Sequence, residues 1–277
     1  MDDVHSFQLT AADGTRLSAR HWAAQTPHAA LALIHGFGEH SGRYGDMGQH
    51  LAANGIDVFA VDLRGHGKSD GKRGVIRSFD DFRADIAALL DHAHSQRKSG
   101  PLILFGHSMG GGIVLDHGLR PDPGVDGIIA SAPLIAPSEP VKGVQRSLVT
   151  GMSKLFPSLT MKQPIAGSKI STLAEEQAAY EQDPLNHGQL GLRTAVEIIE
   201  AGEKLTEAAA DWSLPLLMLH ATGDQLTDYA ASQAFGTAAR ADFRAFDKVE
   251  HELHNDTTRA QIYAAITDFV DLLSGRV

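Results

Sequence analysis

"LILFGHSMGGGIVL", residues 102–115, sets an apolar run, a serine between glycines, and a second apolar run in one stretch. A strand that enters a sharp turn and a helix that leaves it would write this pattern. Such a turn tolerates no bulk beside the serine, because neighbouring backbone passes close to it. Gly106-His107-Ser108-Met109-Gly110 therefore reads as the G-x-S-x-G of a nucleophile elbow. The plainer reading is a tight strand–helix turn without chemistry. The same spacing recurs at Gly67-Lys68-Ser69-Asp70-Gly71, so spacing alone decides nothing. Context separates the two: Ser69 follows a loop and enters "GKRGVIRSF" (71–79), where a solvated or loop-bracing hydroxyl is the expectation.

Working outward, "ALALIHG" (30–36), "IDVFAVDL" (56–63), "PLILFG" (101–106) and "VDGIIASAP" (125–133) are continuous apolar runs. Runs of that kind suit strands buried on both faces. "SFQLTAADGTRLSARHWA" reads as two short strands around an Asp-Gly turn, and a helix is expected near 45–54. Ser78 and Asp81 have capping-box spacing ahead of a helix whose Phe82, Ile86, Leu89, Leu90 and Ala93 share one face. Near the C-terminus, "LPLLMLHATGD" (214–224) is a strand ending in a turn. It is followed by a helix over 229–239, a strand over 242–248, and a last helix with Ile262, Ile266, Phe269 and Leu273 on one stripe. Alternating strands and amphipathic helices predict an α/β fold with a mostly parallel sheet covered on both faces.

Residues 134–210 break the alternation. They carry Pro137, Pro140, Pro157, Pro164 and Pro184, with helical patches and no convincing buried strand. A structureless loop of that length is improbable in a compact domain. The expectation is a core of residues 1–133 and 211–277 with 134–210 as a helical cap. Within it Val144, Leu148, Met152, Leu155 (or Phe156) and Leu159 recur at helical spacing, flanked by Lys142, Arg146 and Lys154. Packing over the core is one reading, and an amphipathic lid that shields an acyl chain or touches lipid surfaces is the other.

Composition narrows the function. The 277 residues carry a net charge of −10, which disfavours nucleic acid as a partner, since neutralising phosphates takes a surplus of Lys and Arg. With no cysteine, disulfides, thiolate nucleophiles and Cys-ligated zinc are excluded. The opening "MDDVHSFQLT" is acidic and does not read as a signal peptide, and no run is long and apolar enough to cross a bilayer. A cytoplasmic protein is the expectation.

A serine hydroxyl needs a base to take its proton, and the base needs an acid to orient it. In this layout the chain order is serine, acid, histidine. Asp224 and Asp228 both follow the strand after the insertion, with Asp224 nearer its end, although a turn-forming aspartate after a glycine is a rival reading. "FDKVEHELHND" (246–256) offers His251 and His254, with His251 first after the strand and His254 placed to line the pocket or cap the last helix. The oxyanion would need two backbone N–H groups, from Met109 after the nucleophile and from "HGFG" (35–38), where Phe37 fits best.

Together, "HGFGEHSGRY" (35–44), "DLRGHGKSDGKRG" (62–74), "GHSMGG" (106–111), "SAPL" (131–134), "TGDQLTD" (222–228) and "EHELHND" (250–256) resemble the α/β-hydrolase superfamily, in particular its monoacylglycerol lipase and lysophospholipase branch. The resemblance implies an α/β-hydrolase fold with Ser108, Asp224 and His251 as the triad and Phe37 and Met109 at the oxyanion. It also implies that Glu39, Arg43 and His254 line the subsite for the alcohol end of the substrate, although Glu39 and Arg43 also fit an ion pair bracing the loop. Gln225 departs from relatives that carry a basic residue after the acid, and the insertion matches poorly.

Rival readings are weaker. "LALIHGFGEHSG" with Asp62 imitates a dinucleotide-binding unit, but Ser41 stands where the third glycine belongs. The fifteen histidines call for no metal, since His251-Glu252-Leu253-His254 lacks H-E-x-x-H spacing. A serine at the elbow disfavours an Asp-nucleophile dehalogenase or epoxide hydrolase. A peptidase, a thioesterase, a short-chain carboxylesterase and a non-catalytic binding protein on the same scaffold remain as alternatives. The expectation is a serine ester hydrolase that needs no cofactor and acts on a monoacylated lipid or a similar small ester. The sequence leaves the oligomeric state open.

Overall fold

The computed structural model describes residues 4–140 and 143–276, apart from the side chain of Val144. The strands are β1 (Val4–Thr10), β2 (Arg16–Trp22), β3 (Ala29–Ile34), β4 (Ile56–Val61), β5 (Leu102–His107) and β6 (Gly127–Ser131) in the first half. The helices between them are α1 (Gly45–Ala53), α2 (Asp80–Gln96) and α3 (Met109–Gly118). Segment 134–210 supplies α4 (Gly143–Leu155), β7 (Thr160–Lys162), α5 (Ala174–Gln182), β8 (Gln189–Gly191) and α6 (Leu192–Ala208). The chain then adds β9 (Leu216–Ala221), α7 (Tyr229–Ala239), β10 (Asp242–Phe246) and α8 (Arg259–Leu273).

Eight strands form one sheet in the order β1-β2-β4-β3-β5-β6-β9-β10. β2 is antiparallel to both β1 and β4, and every other pairing is parallel. The side-chain period of two divides β3 between two cores. Ala30, Ala32 and Ile34 face Phe82, Ile86 and Leu89 of α2 and Ile113 and Val114 of α3. Ala29, Leu31 and Leu33 face Met47 and Leu51 of α1 and Ile262, Ile266 and Phe269 of α8. Each of the larger buried side chains (Leu, Ile, Val, Met, Phe) contributes about 1.5–3 kcal/mol of transfer free energy. The apolar runs around β3, β4 and β6 are longer at their C-terminal ends than the strands themselves, so the motif residues begin where the ladder stops.

Local details differ from the sequence reading in three places. The Ser78–Asp81 capping box does not form: Asp81 accepts from Arg77 N at 2.7 Å and is drawn to the Arg77 guanidinium, also at 2.7 Å. The Phe79 N–H is held instead by Glu197 of α6, at 2.9 Å. Segment 134–210 adds no strand to the large sheet, but β7 and β8 pair antiparallel as a small ribbon of their own.

The apolar stripe of α4 does not pack on the core. Leu148 is 63% exposed, Leu155 75% and Phe156 57%. α4 instead faces α6 through Arg146, Val149 and Thr150, which meet Val196 and Ile199 around a small gap. Residues at that spacing occupy a different face from Leu148 and Leu155. Of the positions expected around this stripe, Lys142 and the side chain of Val144 lie outside the described residues. α6, by contrast, shares the main core through Ala201 and Leu205.

Candidate active site

β5 runs directly into Ser108, and α3 begins at the next residue. Ser108 has φ 54° and ψ −119°, a conformation that is costly for a residue with a Cβ. The surrounding backbone imposes it. Ser108 N donates to Ser131 O at 2.9 Å, and Leu134 N donates to Ser108 O at 2.8 Å. The flanking glycines are a steric requirement: a Cβ on Gly106 would stand 2.3 Å from Gly110 O, and one on Gly110 would stand 2.4 Å from both Ile34 O and His35 O. Ser69 is occupied otherwise, since its hydroxyl donates to Asp62 O and accepts from Ser18 N. It braces a loop, as its context suggested.

Asp224 stands just past β9. Its Oδ1 accepts the N–H groups of Leu226 and Thr227, at 2.7 and 3.1 Å. Its Oδ2 accepts from His251 Nδ1 at 2.6 Å, Thr227 Oγ1 at 2.9 Å and His220 Nε2 at 3.2 Å. Burial pushes this carboxyl up, but the charge of His251 and the bonds from both imidazoles outweigh it and hold Asp224 far below the usual carboxylate range. Asp228, the rival acid, caps α7 by accepting from Ala231 N.

His251 is buried, and its ring lies 4.7 Å from that of His107, the residue before Ser108. Burial alone would lower its pKa, yet the Asp224 carboxylate raises it above the imidazole norm of 6.5. His254 stacks on Tyr44 with centroids 4.6 Å apart, and neither of its ring nitrogens has a hydrogen-bond partner among the described residues. Burial brings its pKa down to about 4, so it is neutral near pH 7.

The "HGFG" loop passes beside the serine: a Cβ on Gly36 would lie 3.2 Å from Ser108 Cβ. Gly36 N is engaged by Glu39 Oε1 at 2.6 Å, and Glu39 also accepts from Tyr44 OH at 2.8 Å. The Phe37 ring makes edge contacts with His66 and His187, and His187 N donates to Gly38 O at 2.8 Å. Met109 opens α3, so its N–H is one of the four that a helix leaves without an intrahelical acceptor.

Glu39, Arg43 and Glu252 form a buried cluster of charge. Arg43 Nη2 binds Glu252 at 2.5 Å, and its Nε lies 3.3 Å from Glu39. Two carboxylates share one guanidinium, so burial and Glu252 raise Glu39 to about 7, while Arg43 keeps Glu252 below its ordinary value against its burial. Glu39, His107 and Glu252 bring ligand-type atoms within 4.8 Å of one another. Arg43 already supplies the positive charge there, which suits the cluster poorly to a cation.

Two contributors escaped the sequence reading. His220 sat unremarked in an apolar strand, and Glu252 was read only as a spacer between histidines. A histidine four residues before the acid was the available signal for the first.

The family model described as serine aminopeptidase, S33, matches residues 25–258. The chain belongs to that family of α/β-hydrolases. As a member it is a serine hydrolase, and similar proteins fall on both sides of characterisation. It is 30% identical over 271 residues to a monoacylglycerol lipase of Mycolicibacterium smegmatis, covering 96% of each chain. It is 33% identical over 268 residues to an uncharacterised abhydrolase-domain protein of Dictyostelium discoideum, spanning 95% of this chain and 28% of that one. The crystal structure of the monoacylglycerol lipase of Paleococcus ferrophilus superposes with a TM-score of 0.83 at 27% identity, over 94% of this chain and 99% of that one.

Proposed function

We propose that the chain hydrolyses monoacylglycerol-like esters through an acyl-enzyme. Ser108 attacks the ester carbonyl. His251 takes its proton and returns it to the leaving alcohol, and Asp224 holds His251 in the tautomer that leaves Nε2 free to accept. The N–H groups of Phe37 and Met109 receive the oxyanion, and water then releases the acid. The observation that carries the reading is the 2.6 Å Asp224–His251 pair, whose imidazole lies 4.7 Å from the ring of His107, the chain neighbour of a serine held at positive φ.

The substrate class rests on the lipases this chain is similar to. Lysophospholipids offer the same single acyl ester, and a thioester or short-chain ester would use the same machinery. Glu39 and Arg43 act here as braces of the oxyanion loop, because their charges are spent on Gly36, Tyr44 and Glu252. His254 is assigned to the alcohol subsite, a role supported by its two ring nitrogens having no hydrogen-bond partner among the described residues. Residues 134–210 form the cap, and the exposed Leu148, Leu155, Phe156 and Leu159 support a transient contact with lipid surfaces. A cytoplasmic placement accords with the lack of cysteine. The test is a panel of p-nitrophenyl esters and monoacylglycerols of graded chain length. The reading expects turnover to rise from acetyl to longer chains; preference for acetyl would make the protein a general carboxylesterase.

A further inference from the structure

Asp224 Oδ2 is shared by two imidazoles. His251 is one, and His220, four residues before Asp224 and the second-last residue of β9, is the other. The side chains of both His220 and Asp224 are fully buried. A buried histidine normally finds a partner for each ring nitrogen, because an unpaired polar atom away from water is costly. His220 Nε2 meets Asp224 Oδ2 and Thr227 Oγ1, each at 3.2 Å, whereas Nδ1 has no partner among the described residues. That asymmetry fixes the tautomer. A proton on Nδ1 would leave a buried donor unpaired and turn the Nε2 lone pair toward a carboxylate. A proton on Nε2 donates to the charge and leaves only an acceptor unpaired.

We infer that His220 is a positioning residue that acts through Asp224: its Nε2–H, with the Thr227 hydroxyl, fixes Oδ2 in line with His251 Nδ1 and draws off part of its charge. The single Thr227 proton lies within reach of Asp224 Oδ2 at 2.9 Å and of Ala132 O at 3.1 Å, and the nearer, charged carboxylate is the acceptor that the inference assigns to it. The inference rests on the triad reading above. His251 is faced by Asp224, His107, His254, Glu252 and Glu39, and His220 meets Asp224 and Thr227 while the Tyr229 ring packs against it. Removing the His220 donor leaves more negative charge on Oδ2 and so raises the pKa of His251.

The test compares wild type, His220→Leu, His220→Gln and Ser108→Ala on a p-nitrophenyl ester across pH, with thermal unfolding of each. Gln can place an N–H where Nε2 stood, and Leu cannot. The expected result is a kcat lower by about 10- to 100-fold in His220→Leu, the equivalent of one hydrogen bond to a charged group, with KM little changed. The acid limb of its kcat/KM profile should move to higher pH, and the low-field proton signal of His251 Nδ1–H should shift. His220→Gln should recover to within about threefold of wild type, since it keeps a donor to the charge. His220→Leu with wild-type kcat and an unmoved acid limb, while Ser108→Ala is inactive, overturns the inference and leaves the triad standing. Equal losses in Leu and Gln variants with no pH shift also overturn it, because only packing would then be at stake. Full activity in Ser108→Ala would strike the triad reading itself. Should His220→Leu fail to fold, the Gln variant's proton signal and acid limb decide, and a loss of kcat like that of a donor-less site contradicts the inference.

Discussion

Asp224 Oδ2 stands 2.6 Å from His251 Nδ1, with both side chains out of water and, among the described residues, no other carboxylate paired with that imidazole nitrogen. A single acceptor at that distance selects the Nδ1–H tautomer and turns Nε2 to the opposite side of the ring. Asp224→Asn should therefore leave the protein folded and cut kcat by roughly 10⁴-fold, because the amide favours the wrong tautomer. Steady-state turnover of a p-nitrophenyl ester checks this, and a loss below about tenfold would contradict it.

The same pair sets the pH response. Only neutral His251 can accept a proton, and Asp224 raises its pKa above 6.5. The rate should therefore climb with pH on an acid limb centred above 6.5. Stability runs the other way. A histidine with a raised folded pKa contributes stability that is complete below the unfolded value and is lost as pH rises through the folded value. A kcat/KM profile flat down to pH 5 would rule out this account of the base.

Glu39 gives a second pH signature. Its carboxyl is raised from 4.5 to about 7, by burial first and by Glu252 next. Its contribution to stability is complete below 4.5 and fades as pH rises through 7. Glu39→Gln removes that titration. Wild-type stability relative to the variant should decline between these two values by at most about 3 kcal/mol, read from denaturant midpoints at several pH values. A difference independent of pH would mean that Glu39 keeps its charge throughout.

Gly110 is fixed by backbone rather than by flexibility. A Cβ there would meet Ile34 O and His35 O at 2.4 Å, and neither strand end can retreat without opening the β3–β5 ladder. Gly110→Ala should cost on the order of 3 kcal/mol, an overpacking penalty at the upper end of point substitutions. Thermal unfolding measures it, and an unchanged midpoint would mean the elbow has slack.

The exposed face of α4 makes a contrasting prediction. Leu155→Ser with Phe156→Ser should leave stability within about 0.5 kcal/mol, because both side chains are already in solvent. Activity on a soluble short-chain ester should persist while activity on monoacylglycerol presented in vesicles falls. Equal activity on both would deny the cap a role at lipid surfaces.

The sheet and the elbow were readable because each rests on local rules. β3, β4, β5 and β6 are unbroken apolar runs, and the glycines around Ser108 announce a turn that admits no Cβ. Asp224 was readable from its place after a strand, and Asp228 lost its claim only when it was seen to cap α7. What escaped was long-range. β7 and β8 are three residues each and pair across α5, too short for any period to show. The Phe79 N–H finds Glu197, far along the chain, in place of the cap expected from Ser78. The α4 stripe looked like packing or lid, and only the partner helix α6 decides which face is covered. His220 looked like one more residue of an apolar strand until the fold brought it to Asp224.

The most direct test of the central claim is labelling with a fluorophosphonate, followed by peptide mapping of the modified residue. The account predicts a single adduct on Ser108, formed much more slowly in Asp224→Asn and absent in Ser108→Ala. Adduct on Ser69, or no adduct on a folded wild-type protein, would contradict it.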